Sequence, residues 1–319
     1  IDPGLSDAYA IQGLHYQLES LQAAEKAYRR ALRLDPDNRL AADGMADLAA
    51  FDGEYGEAIR WAHRVLRVDP RWEYGRSYMG NLLLTIGMGD AAAAWFRDVL
   101  DTNPDNATAV WGLMSVFLSR GQAGRAHETV ERYRSGRPDH PIGLRLAAEV
   151  ALHRGSPQRA EALLERIPES GRRVAASALP GDRRMLIGLA RLRSGDREAG
   201  RTLLREAADS LRDRLDERSD LIWQTDPLWL ARALAALGQT EDALRHLHGA
   251  MERGEIRQQI IRSDPFFQPI RSEPRFREVL QKMAATQREF QEELRQIDIA
   301  LDPSRTNTDS VASESTPDG

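Results

Sequence analysis

The stretch Tyr28–Asn38, YRRALRLDPDN, decides the fold of this chain. Up to Leu34 it reads as a helix. At Asp35-Pro36 that helix must stop, because the residue before a proline is pushed out of the helical region and proline brings no N–H to a helix interior. Asp37 and Asn38 can then cap a new helix by accepting the free N–H groups of its first turn. The stop keeps time. Pro36 recurs as Pro70, Pro104 and Pro138, each 34 residues after the last. Ala24 recurs on the same step as Ala58, Ala92, Ala126 and Ala160, and Gly53 as Gly87, Gly121 and Gly155. Three residue types in phase over four or five periods define a repeat.

Each position has a physical reason. The glycine lies midway in the unit, where one helix ends and the chain reverses, and it suits the left-handed backbone after a helix C-terminus. The alanine near the start of the second helix lets two helices approach closely. Apolar residues such as Met79, Leu83, Phe96, Val99 and Leu100 fill the inward positions at helical spacing. A 34-residue helix–turn–helix unit cannot bury its own apolar face, so it must stack on its neighbours.

The run of a small residue, an aromatic, an apolar residue and a closing proline, as in Ala24, Tyr28, Ala31 and Pro36 and again in Ala92, Phe96, Val99 and Pro104, resembles the tetratricopeptide repeat family. The resemblance covers about residues 5–256. It implies an all-α fold, a right-handed α-solenoid whose first helices line a concave groove, and a non-enzymatic scaffold that binds a peptide or protein segment there. The ligand-facing stripe of the family falls here on Tyr9 and Tyr16, then on a second set with Asp43, Asp47 and Phe51, and then on Tyr74, Ser77 and Asn81. Trp111 and Ser115 follow, and then Arg145, Glu149 and His153. The expected peptide-binding groove is Tyr9, Tyr16, Phe51, Tyr74, Ser77, Asn81, Trp111 and Ser115. Members that grip a C-terminal carboxylate need a cationic cluster with asparagine. Only Asn81 fits that pattern, so the stripe suits an extended apolar or aromatic segment with its backbone held by the Asn81 amide.

The beat is lost twice. After Gly155 the turn glycines are Gly195 and Gly238, steps of 40 and 43. The extra residues fall near 167–181, where Pro168 shortens a helix, and near 209–227, where a helix lengthens before Pro227. The expected organisation is an array of about seven repeats over 1–256, a capping segment and helix over 257–301, and a disordered tail over 302–319. DPFFQPIRSEPRF, 264–276, resembles the segment that closes repeat arrays on bacterial signalling proteins. That likeness carries an alternative function: the sensory module of a winged-helix regulator, adenylate cyclase or Ser/Thr kinase. Phe266, Phe267 and Phe276 would plug the end of the core. The last helix carries Val279, Met283, Phe290, Leu294, Ile297 and Leu301 on one stripe, either a cap on the array or a coiled-coil seam pairing two copies through 279–301.

Composition narrows the chemistry. The 319 residues are 41% hydrophobic and 29% charged with a net charge of −5, so no basic field draws the chain to nucleic acid. There is no cysteine, hence no disulfide or thiolate site. No apolar run reaches the roughly 18 residues of a bilayer span. No phosphate-binding glycine loop or nucleophile elbow occurs, and HETVE at 127–131 lacks the second histidine of a zinc helix. No catalytic residue, cofactor or metal is implied. The chain opens at Ile1 within IDPG, an echo of LDPD at 34–37, and reads as a piece of a longer bacterial protein, cytoplasmic or periplasmic.

Overall fold

A computed structural model describes residues 3–17, 19–168, 170–171, 183–217, 226–296 and 301–303. Every described element is helical. The hairpins are α1 (Pro3–Tyr16) with α2 (Leu21–Leu34), α3 (Arg39–Phe51) with α4 (Tyr55–Val68), and α5 (Glu73–Thr85) with α6 (Gly89–Thr102). They continue as α7 (Ala107–Ser119) with α8 (Ala123–Arg134), and α9 (Pro141–His153) with α10 (Pro157–Glu165). Then come α11 (Arg183–Ser194) with α12 (Arg197–Glu217), and α13 (Asp226–Ala236) with α14 (Thr240–Glu252). A closing segment follows: α15 (Gln258–Ser263), a 3-10 helix (Pro265–Ile270) and α16 (Pro274–Arg295). The class is all-α, an α-solenoid of helix–turn–helix repeats.

The helices end where the repeat chemistry requires. Asp35 is extended (φ −138°), and Asn38 caps α3 by accepting from the Ala41 N–H at 2.9 Å. Asn106 caps α7 in the same way through Ala109 at 2.8 Å. Asp37 does not share that task; its own N–H donates to the Asp35 carboxylate at 3.0 Å. The Asn38 amide also donates to Ser6 and Asp7, and the Ser6 hydroxyl to the Ala31 carbonyl, which ties the first repeat to the second. The turn glycine at Gly53, Gly87, Gly121, Gly155, Gly195 and Gly238 has positive φ throughout, the conformation that a side chain would disfavour. The irregular joint at 167–181 lies mostly outside the described residues, as does the end of the joint at 209–227. Within the second joint α12 runs on for 21 residues to Glu217. The tail beyond 303 and Ile297 lie outside them too.

The chain forms two compact units. Unit 1 holds residues 1–99 and 287–319, and unit 2 holds residues 100–286. The chain passes from the first to the second inside α6 and returns inside α16. In unit 1, Ala24, Tyr28, Ile59, Leu66, Met79, Leu83 and Phe96 are fully buried. The returning end of α16 joins them. Phe290 meets Tyr55 edge-on at 5.6 Å, and the Gln287 and Gln291 amides donate to the Thr85 and Ile86 carbonyls at 2.8 and 2.6 Å. Those two bonds satisfy carbonyls that the end of α5 would otherwise leave open. Arg60 pairs with Glu293, and the Trp95 indole N–H donates to the Leu301 carbonyl at 2.9 Å. In unit 2, Leu144, Leu146, Leu164, Leu204, Leu230, Leu247 and Phe267 are buried, with Met283 from the start of α16. The stripe residues Val279 and Met283, in unit 2, and Leu294, in unit 1, are therefore buried within the chain.

Candidate binding surfaces

The expected groove residues fall into two groups. Tyr9, Tyr16, Phe51, Tyr74, Ser77 and Asn81 belong to unit 1, Trp111 and Ser115 to unit 2. In unit 1, Tyr9 and Tyr16 pack half-buried against the core around Ala10, Tyr28 and Met45, with Arg30 over the Tyr9 ring at 5.7 Å. Phe51 is half-buried at the end of α3. On α5 the structure gathers Tyr74, Ser77 and Asn81 on one face, with Tyr78 beside them. Tyr74 is 52% exposed, and its ring stacks parallel to Tyr78 at 6.0 Å and tilts against Trp72 at 5.2 Å. Behind these rings the Ser77 hydroxyl and the Asn81 carbonyl oxygen are buried with no hydrogen-bond partner among the described residues.

Two carboxylates complete this face. Asp43 and Asp47 stand one turn apart on α3, at a spacing that puts both on one side of the helix. The Tyr78 hydroxyl bonds Asp47. Burial pushes the Asp43 carboxyl up to about 7, the charge of Asp47 adds to the shift, and Arg39 opposes it. Burial raises Asp47 as well. The same charges reach three phenols. Tyr28, Tyr74 and Tyr78 are all raised above the usual phenol range, first by burial and then by Asp47 and Asp43. Both aspartates occupy stripe positions visible in the sequence. Their convergence with Tyr28, a residue of the second helix, was not visible there.

In unit 2 the stripe is covered by the chain itself. Trp111, Ser115 and Leu118 of α7 and Glu149 and His153 of α9 form part of a cavity wall. Trp229 and Arg232 of α13, and Glu255, Ile260, Ile261 and Asp264 of the closing segment, form the rest. The enclosed space is about 70 Å³, room for a few waters.

The closing segment is held there by charge. Arg232 pairs with Asp264, which is 3% exposed, and lies over the Trp229 ring at 4.0 Å and the Phe266 ring at 5.2 Å. The other Asp264 oxygen accepts the Phe266 N–H at 2.9 Å. Arg271 donates to the Ser263 and Asp264 carbonyls, and Arg193 to that of Pro265, each at 2.8 Å. Arg257 clasps Glu255 through its backbone and its guanidinium. Phe266, Phe267 and Phe276 are all buried. Burial lowers His153 to about 4; Asp264 opposes the shift, and Arg232, Arg271 and Arg193 add to it, so the ring is neutral at ordinary pH. Burial raises Glu149 despite Arg145, 3.5 Å away. Trp111 and Ser115 occupy stripe positions that helical spacing reveals, whereas Arg232 and Asp264 are brought to them by a long stretch of chain.

Among the described residues no group of three or more acidic or histidine side chains is placed to hold a metal ion, and no described helix is long and apolar enough to cross a membrane.

Two family models, both described as tetratricopeptide repeat, match residues 13–38 and 113–175. Cellulose synthase operon protein C of Pseudomonas fluorescens is 26% identical over 192 residues, 57% of this chain. The chain spans only 15% of the length of that curated relative. Among solved structures, PilW, a widely conserved type IV pilus biogenesis factor, superposes with a TM-score of 0.51 at 18% identity, over 63% of this chain and 91% of that one. A tetratricopeptide repeat protein from Parabacteroides merdae gives 0.53 at 12% identity, over 88% and 99%. These superpositions establish a shared fold. With its period of 34, its matched repeats and its stacked hairpins, the chain carries tetratricopeptide repeats.

Proposed function

We propose that this chain is a non-enzymatic protein-interaction module, and that the α3–α5 face of unit 1 takes up an extended segment of a protein partner. The observation that carries the reading is the aromatic ladder Trp72–Tyr74–Tyr78, locked ring on ring and presenting a half-exposed Tyr74 at a stripe position. Rigid aromatic side chains with one wet edge supply contact area at low entropic cost and recur as binding hot spots. Asn81 and Ser77 support the reading. Asn81 is half-buried on the same side of α5 as Tyr74. A carboxamide can both donate to and accept from one extended residue of a ligand.

The test is a crosslinking pull-down from cells that express the protein, run with the unmodified chain and with variants. Tyr74→Ala and Asn81→Ala should each lower partner recovery about ten-fold, the scale of losing one hot-spot residue. Trp111→Ala, whose neighbours in the cavity are the chain's own closing segment, serves as the comparison and should leave recovery unchanged. Full recovery with both Tyr74→Ala and Asn81→Ala would remove the groove from this account.

A further inference from the structure

We infer that the unit 1 face recognises a cationic side chain, an arginine of the partner segment, seated between the Asp43 and Asp47 carboxylates and the stacked rings of Tyr74 and Tyr78. This rests on the groove reading above and gives it a ligand chemistry.

Four observations converge. First, the two carboxylates share one side of α3, and among the described residues no cation lies within ion-pair distance of either. Arg39, whose field reaches Asp43, is engaged elsewhere; it pairs with Asp69 at 2.8 Å and lies over the Trp72 ring at 4.8 Å. Second, a fully buried phenol lies within the electrostatic reach of the pair. Tyr28 is 0% exposed, its hydroxyl has no hydrogen-bond partner among the described residues, and both carboxylates act on it. Its ring packs against two glycines. A Cβ on Gly13 of α1 would sit 2.5 Å from the ring, and one on Gly44 of α3 only 2.2 Å away. Third, the Tyr74 and Tyr78 rings lie parallel within 8°, a π surface beside two negative charges.

Fourth, the charge state is unfinished. Like charges on adjacent turns and partial burial both disfavour ionisation. The groups that face Asp43 are Asp47 and Arg39 from its own helix, Tyr28 from α2, and Tyr74 and Tyr78 from α5. None of them supplies a close positive charge. The Tyr78–Asp47 hydrogen bond accounts for one carboxylate. Asp43 remains without a close cation, and a guanidinium supplies that charge while its planar face stacks on the Tyr74 and Tyr78 rings.

The experiment titrates the full chain, with ring-labelled tyrosine, against the capped tripeptide Ala-Arg-Ala, and follows the Tyr74 and Tyr78 resonances by NMR. Parallel arms replace Arg by citrulline, its neutral isostere, or by Lys, and offer free agmatine. At about pH 8 the Arg peptide should shift both tyrosines saturably, and citrulline should bind about ten-fold more weakly or not at all. The Asp43→Asn/Asp47→Asn variant should abolish the response while keeping its helical circular dichroism, because it removes a repulsion and no contact made by the core. Binding should weaken as the pH falls through about 7, where Asp43 takes up its proton.

Equal shifts from arginine and citrulline, or none from arginine, overturn the inference. Agmatine binding as tightly as the peptide overturns the choice of a partner segment in favour of a small free amine. Lysine matching arginine keeps the cation and removes the preference for guanidinium. The two readings fail separately. A partner lost with Tyr74→Ala but kept with Asp43→Asn/Asp47→Asn leaves the groove standing and removes the cation.

Discussion

The same stripe of the repeat meets two different fates in the two units. In unit 1 its aromatic and acidic side chains stand partly exposed, with carboxylates pushed toward neutrality and a phenol left unpaired. In unit 2 its counterparts on α7 and α9 are walled in by the chain's own residues 255–264, and Arg232, Arg257 and Arg271 satisfy the buried acids and carbonyls. A repeat presents the same positions again and again. What those positions do depends on whether the chain supplies a segment to cover them.

Three substitutions probe that contrast. The largest effect should come from the covered side. Arg232→Ala removes the partner of Asp264, which is 3% exposed, and the stacking on Trp229 and Phe266. Stranding a buried charge costs about 3–5 kcal/mol, to be read as an earlier denaturant midpoint together with faster amide exchange across 255–270. A loss below about 1 kcal/mol would mean that the clasp does not hold the segment.

The second probe crowds the Tyr28 ring in unit 1. Gly44→Ala places a methyl 2.2 Å from the Tyr28 ring, and overpacking of this kind costs about 1–3 kcal/mol. Calorimetry should show the loss, and the Tyr28 resonances should move.

The smallest change concerns pH. The carboxyl of Asp43 sits at about 7 in the folded chain against an ordinary 3.8, so the folded state holds a proton that the unfolded state has given up between those values. Stability should therefore fall as pH rises from about 4 to about 7. Asp43→Asn should flatten that decline and raise stability near neutral pH by about 1 kcal/mol, a figure kept small because the site is partly wet. A steeper decline in the variant would contradict the assignment.

Much of the fold was legible because its causes are local. A proline pushes the residue before it out of the helical region, a midway glycine supplies the positive-φ turn, and Asn38 caps from its place in the chain; a 34-residue period displays these signals repeatedly. The stripe was legible in part for the same reason, since helical spacing alone puts Asp43, Tyr74 and Asn81 on first helices. Its completion was not. Tyr28 belongs to a second helix, and only the absence of side chains at Gly13 and Gly44 makes room for its ring. The cover on unit 2 was hidden for another reason. Asp264 lies 32 residues from Arg232 and more than a hundred from Glu149, and no local pattern pairs them.

The return of α16 to unit 1 sets an order in time. The groups that close the far side of α5 and α6, from Gln287 to Leu301, are made more than two hundred residues after the carbonyls and the indole they bond. On a ribosome, unit 2 can be synthesised whole before unit 1 receives its last helix. Loop closure over such a span adds entropic cost and slows assembly. The hairpins of unit 1 are thus sealed only after those of unit 2 have been made, and the nascent chain carries their open face throughout the synthesis of everything between.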